Sequence, residues 1–181
     1  MNQLKSSFDK DFTSSQEMFY NFFAQKSLDP SFLKETVKEK LSKNLQALLK
    51  KDDSLQSLGY GFYLASEFGP AGAFVADRIE DAVAQADEVD GKMLQFEGGL
   101  SITSLVVNGV FKVSGDKSPI TAEQTKKFAS YFLSRRSVTT AKGASALLES
   151  LQLILEQKSI SPIAIRIADN GQIPPAVSYT H

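Results

Sequence analysis

The sequence predicts an all-α fold in which antiparallel helix hairpins stack into a short superhelix, of the α-solenoid or α/α type. Apolar residues recur at spacings of three and four along most of the chain, which is typical of helices with one buried face. Capping residues and Gly-Pro or Asp-Gly pairs interrupt this pattern at short intervals. The 181 residues, 42% hydrophobic and 23% charged, suit one domain with a continuous core. A closed helical bundle has the same periodicity and remains the structural alternative.

The first predicted helix is apolar around its whole circumference. Ser14 and Glu17 have the spacing of a capping box, so the helix begins there. The apolar residues that follow are Met18, Phe19, Tyr20, Phe22 and Phe23. Such a helix has to be covered on more than one side. The aromatic residues of this helix are therefore a candidate interface, through which an isolated domain is expected to self-associate.

Two further helices follow in the first half of the chain. Asp29-Pro30 predicts the start of the second, with an N-cap followed by proline, and Ser54 predicts the start of the third. Gly59 and Gly61 lie inside the third helix, where each costs up to about 1 kcal/mol in helix propensity. Close approach of a neighbouring helix explains why they are tolerated, so both are candidate structural anchors.

Apolar stripes at helical spacing predict four more helices, near residues 75–86, 100–111, 121–133 and 138–155. The first of these is expected to end at Asp90-Gly91, followed by a short linker over residues 92–97.

The end of the chain changes period. Ile163, Ile165 and Ile167 alternate with other residues, as in a short β-strand. A single strand is not a stable sheet, so it either lies along the helices or belongs to a following domain. We therefore expect a helical-hairpin domain over residues 1–160 and a strand and linker over residues 161–181, leading toward a domain absent from this sequence.

Composition excludes several functional classes. The chain has no Cys, and its one His is the last residue, His181, so Cys-type metal sites and His-based triads are not expected. A net charge of -1 gives no basic surface for nucleic acid. No apolar run reaches the roughly 20 residues of a membrane span, so this segment should not insert into a bilayer. No cofactor motif is present, and no cofactor is predicted.

An acidic stretch is the one pattern that resembles an active site. Asp87, Glu88 and Asp90 lie close together with Glu97 nearby, as paired carboxylates do in glycoside hydrolases. A solvated helix end explains the same residues without any chemistry, and no second acidic cluster is visible in the sequence.

One segment resembles a known family. Residues 87–100 read DEVDGKMLQFEGGL and continue as SITSLVVNGVFKV. They resemble the lumenal amino-terminal region of ribophorin II, a subunit of the eukaryotic oligosaccharyltransferase. The core of the match is residues 94–97, LQFE, followed by Gly99-Leu100, and weaker similarity extends over residues 39–156. Within this motif, the candidate structural anchors are Leu94, Phe96 and Leu100.

The resemblance implies a non-catalytic scaffolding domain that supports protein N-glycosylation. It implies a place on the lumenal side of the endoplasmic reticulum, in a membrane-anchored full-length protein. The implied partners are other oligosaccharyltransferase subunits, with nascent polypeptides as a further candidate. Two alternatives remain open: a cytosolic helical-repeat adaptor, and an α/α-toroid enzyme that uses Asp87, Asp90 or Glu97.

Overall fold

The computed structural model describes residues 11–157, and these residues form the predicted all-α fold. The helices within this range are α1 Ser15–Leu28, α2 Glu35–Lys51, α3 Leu55–Phe68, α4 Ala76–Val83, α5 Gly99–Ser114, α6 Ala122–Ser134 and α7 Ala141–Leu155. Short 3-10 turns span Pro30–Phe32, Gly69–Val75 and Gly115–Lys117, and two strands form a hairpin, β1 Asp87–Val89 and β2 Met93–Gln95. The strand predicted over residues 163–167 lies outside the described residues. None of the helices between residues 11 and 157 is both long and apolar enough to cross a lipid bilayer.

Helices α3 and α5 form the centre of the fold. They share the most extensive contact between any two elements of the described chain. Helices α1 and α2 pack against α3, α7 packs against α5, and α6 contacts β2 and α7. The largest contact thus joins helices that are not consecutive in sequence. The all-α class is confirmed, whereas stacking of hairpins into a superhelix stays a prediction.

Small residues allow α3 and α5 to approach closely. A Cβ atom at Gly109 of α5 would lie 2.9 Å from the Cβ of Phe62 and 3.0 Å from the carbonyl oxygen of Gly59. A Cβ atom at Gly59 would lie 2.7 Å from the Cγ of Leu105. Gly61 faces a different neighbour, because its added Cβ would lie 2.7 Å from the Cδ1 of Leu49 in α2. The two glycines of α3 therefore lie at two separate helix contacts.

Replacing Gly61 with Leu should lower the free energy of unfolding by about 1–2 kcal/mol, because Leu49 already fills the space that the new side chain needs. The end of the Leu49 side chain can rotate, which keeps the loss moderate. The loss is measurable as a lower midpoint in thermal unfolding. Ala24→Leu, on an exposed position of α1, is the matched control and should leave the midpoint almost unchanged. An unchanged midpoint in Gly61→Leu would show that the space is open.

Local capping sets most of the helix starts. Ser54 accepts the N–H of Ser57, and Thr121 forms the complete capping box with Gln124. The predicted start of the second helix at Asp29 is wrong. The Asp29 carboxylate accepts the N–H of Ser31 and closes a single 3-10 turn, so α2 begins only at Glu35.

The predicted linker after the fourth helix is also wrong, because this segment is an antiparallel β-hairpin. Val89 pairs with Met93, and the N–H of Lys92 donates to the carbonyl oxygen of Val89 at 3.1 Å. Asp90 and Gly91 have positive φ angles of 53° and 68°. Asp-Gly is a preferred pair in such hairpin turns, because Gly adopts positive φ without steric strain and Asp tolerates it. The acidic stretch therefore lies on a strand and a turn, rather than at a helix end.

Candidate interaction groove

A groove of about 600 Å³ lies between α1, α3, α5 and α7. One wall carries four aromatic rings, those of Phe19, Tyr20, Tyr60 and Tyr63. The other walls carry half-buried aliphatic side chains, which are Leu100, Ile102, Leu105 and Val138. Polar and charged side chains, such as Gln16, Gln56, Lys142 and Glu149, also line it. A groove of this size that combines apolar and polar groups is typical of binding sites. We refer to it below as the aromatic groove.

The aromatic wall forms where α1 packs on α3. The ring of Phe19 lies 5.0 Å from that of Tyr60 and 5.6 Å from that of Tyr63, centroid to centroid. Tyr60 and Tyr63 are three residues apart and therefore share one face of α3. The rings of Tyr20 and Tyr60 lie 5.9 Å apart, and their hydroxyl oxygens are hydrogen-bonded at 3.3 Å. These tilted and edge-on contacts hold the wall together.

The Tyr60 hydroxyl stays protonated at neutral pH. Burial, and then the adjoining Tyr20 hydroxyl, raise the pKa of Tyr60 to about 12. The Tyr60 hydroxyl is therefore an uncharged hydrogen-bond donor and acceptor at the rim of the groove.

A polar cluster joins three of the surrounding helices. The hydroxyl of Tyr63 donates to the Oε2 of Glu149 at 3.0 Å. The Nζ of Lys112 lies 3.1 Å from the Oε1 of the same Glu149 carboxylate. Lys112 also lies 5.4 Å above the Tyr63 ring. Burial, and then the charge of Glu149, raise the pKa of Tyr63, while a hydrogen bond from the Asn108 side chain opposes this rise. The cluster fixes α3, α5 and α7 around the groove.

Asn108 lines the groove from α5 and is only 1% exposed. Its Oδ1 atom has no hydrogen-bond partner. Between residues 11 and 157, the other buried side-chain atoms in this state belong to Gln25, Asn44 and Tyr131, none of which lines the groove. A buried acceptor without a donor costs free energy, so Asn108 lowers the stability of the fold at this position.

The structure places the predicted interface residues of α1 in different environments. Phe19 and Tyr20 line the groove, and Tyr20 is 48% exposed. Phe23 is half-buried beside Phe19, outside the groove. The prediction that Phe22 belongs to an interface is wrong, because Phe22 is fully buried and packs against Phe68. Self-association through α1 stays a prediction.

The predicted anchors of the LQFE segment lie around the hairpin. Leu94 and Phe96 are buried, and the Phe96 ring stacks on Phe128 of α6 at 5.6 Å. The N–H of Phe96 donates to the Oγ1 of Thr103 at 2.9 Å. Leu100 is only half-buried and lines the aromatic groove, so it does not share the enclosed environment of the other two.

The acidic residues considered for catalysis do not line the groove. Asp87, Asp90 and Glu97 are all exposed, and the groove carries a single carboxylate, that of Glu149. Within residues 11–157, no group of three or more His, Cys, Asp or Glu residues could hold a metal ion. The pocket lined by several carboxylates that the enzyme alternative requires is thus not found in the described part of the chain.

The sequence matches the family described as Ribophorin II N-terminal domain over residues 1–155. The chain belongs to this family. The match includes every helix from α1 to α7 and confirms the resemblance of the LQFE segment to ribophorin II. Membership in the ribophorin II family associates the chain with the oligosaccharyltransferase complex and with protein N-glycosylation at the endoplasmic reticulum. No solved structure matches the chain significantly.

Proposed function

We propose that this chain is a non-catalytic scaffolding and interaction domain of an oligosaccharyltransferase subunit, on the lumenal side of the endoplasmic reticulum. Family membership supports the association with the complex. The observation that carries the proposal is the aromatic groove, whose single carboxylate, Glu149, is already engaged by Lys112 and Tyr63. Such a lining suits binding better than catalysis by paired carboxylates, which requires carboxylates free to exchange a proton with substrate.

Other subunits of the complex are the proposed partners, with nascent polypeptides as a second class. We also propose that residues 1–160 form the helical domain and that residues 161–181 lead toward a following domain. The family match over residues 1–155 supports the proposed extent of the helical domain.

Co-purification of the tagged full-length protein from mild-detergent extracts of membranes tests this function. We expect the other subunits of the oligosaccharyltransferase to be recovered with it. A full-length protein that resides in the cytosol and recovers none of these subunits would contradict the proposal and favour the cytosolic adaptor.

Neutralising the three exposed acids, as Asp87→Asn, Asp90→Asn and Glu97→Gln together, should leave the rate of glycan transfer unchanged. These side chains are exposed and lie outside the groove, so none is placed to act on a bound substrate. The measurement is transfer to an acceptor peptide, normalised to the amount of assembled complex. Glu88→Gln, which removes an ion pair with Lys127, is a matched control on the same hairpin. Loss of turnover in normally assembled complex would contradict the non-catalytic assignment.

A further inference from the structure

We propose that the peptide bond between Asp90 and Gly91 is a specific cleavage site for a cysteine endopeptidase that cuts after aspartate. This inference goes beyond the proposed function, because it concerns a covalent modification of the chain. It rests on the order of the residues in the hairpin, on their exposure and on the weak attachment of β1 to the rest of the fold.

The order of the residues is the first observation. Residues 87–91 read DEVDG, which is the sequence that executioner caspases cut. These proteases require Asp immediately before the cut, prefer a second Asp three residues earlier, and accept a small residue after the cut. Asp90, Asp87 and Gly91 occupy these positions. Acidity alone does not make such a site, since residues 77–81 of α4 read DRIED and have a different order in a helix.

The exposure of the hairpin is the second observation. Asp87, Glu88, Asp90 and Gly91 are exposed, and Val89 is half-buried. β1 is already extended, which is the conformation in which a bound peptide pairs with the edge of a partner's sheet. The turn between β1 and β2 is an exposed loop tip, where proteolytic cuts concentrate. The structure therefore presents the scissile bond to solvent.

The weak attachment of β1 is the third observation. The strand has three residues and pairs with β2. Glu88 adds an ion pair with Lys127, but solvent-accessible ion pairs contribute little to stability. β2 is held more firmly, because Leu94 and the adjoining Phe96 are buried. When β1 detaches, Asp90 also leaves its positive φ angle, which is unfavourable for a residue with a Cβ atom. β1 can thus open locally while β2 and the core stay folded.

Cleavage adds one water molecule across the bond, which leaves an α-carboxylate on Asp90 and an amino group on Gly91. The products are residues 1–90, which include α1 to α4, and residues 91–181, which include α5 to α7. Helices α3 and α5 lie on different products and share the most extensive contact in the described chain. The two products should therefore stay together as one folded particle and separate only in denaturant.

Incubation of the 181-residue chain with a purified executioner caspase, followed by intact mass spectrometry, tests the site. We expect residues 1–90 and 91–181 as the only products, eluting together in gel filtration without denaturant. Asp90→Glu keeps the charge but should abolish the cut, since the protease requires aspartate there. Asp81→Glu makes the same change at an exposed position of α4 and should be cut like the unmodified chain. Asp87→Ala should slow the cut about tenfold, because it removes a recognised carboxylate.

Gly61→Leu distinguishes local detachment of β1 from cleavage of the globally unfolded chain. This variant is expected to be less stable because of the contact between α3 and α2, which does not involve the hairpin. If β1 detaches locally, the variant should be cut at the same rate as the unmodified chain. Cleavage through global unfolding would instead accelerate about tenfold, in proportion to the lost stability, and would overturn the proposal.

The compartment of the chain gives a separate test. Executioner caspases act in the cytosol, so the proposed lumenal placement should confine the cut to chain outside the reticulum. In sealed membrane vesicles that carry the full-length protein, added protease should leave Asp90–Gly91 intact until detergent opens the vesicles. Cleavage in sealed vesicles would contradict the lumenal placement, and hence the proposed function, but not the site. Absence of cleavage in the purified chain, or an unchanged cut in Asp90→Glu, would overturn the site and leave the proposed function standing.

Discussion

Replacing Phe96 with Ala is expected to lower the free energy of unfolding by about 3–5 kcal/mol, because a ring that is 1% exposed would leave an unfilled cavity. The ring stacks on Phe128 and thereby attaches β2 to α6. The N–H of Phe96 donates to Thr103, so the backbone of the same residue is fixed to α5. The cavity would therefore open where the hairpin, α5 and α6 meet, and neighbouring backbone could not easily collapse into it.

Urea unfolding followed by circular dichroism measures this loss. Met93→Ala is the matched control, since Met93 belongs to the same strand but is only half-buried, and its truncation should cost clearly less. A loss below about 1 kcal/mol for Phe96→Ala would show that the ring is not held by the fold and would reassign the LQFE segment to contact with a partner.

The hairpin that carries Phe96 illustrates how far local sequence reasoning extends in this chain. The helix starts at Ser54 and Thr121 follow from short-range capping, and the structure shows both. Asp90-Gly91 is equally short-range and is a strong hairpin signal, but it also resembles a helix end. Each strand has only three residues, too few for a period-two pattern to outweigh the helical periodicity before it.

The aromatic groove was predictable only in part, for a different physical reason. The apolar circumference of α1 identifies Phe19 and Tyr20 as residues that need cover. Their partner Tyr60 is 40 residues from Tyr20, and Glu149 is 86 residues from Tyr63. Contacts over such separations cannot be predicted from a single sequence, since no local sequence pattern specifies which distant polar residue completes a contact. The unpartnered oxygen of Asn108 depends on the same non-local packing.

Gly109→Leu should be among the most destabilising single substitutions in the described chain, with an expected loss of about 3 kcal/mol or more. Gly109 lies at the contact of α3 with α5, the most extensive in the fold. An added Cβ would meet the Cβ of Phe62 at 2.9 Å and the carbonyl oxygen of Gly59 at 3.0 Å. One of these atoms is backbone and the other is attached directly to it, so neither can yield by changing a side-chain rotamer.

Comparison with Gly61→Leu in the same urea assay tests this reasoning, because both variants add the same side chain inside a buried helix. The obstacle at Gly61 is the terminal Cδ1 of Leu49, which can rotate, whereas at Gly109 the helices themselves must move apart. Gly109→Leu should therefore lose more stability than Gly61→Leu, although both gain the same helix propensity. Because Leu105 and Asn108 lie on the same helix as Gly109 and line the groove, movement of α5 should also change the shape of the groove. Equal losses in the two variants would show that α3 and α5 can separate easily, and that their close contact does not define the groove.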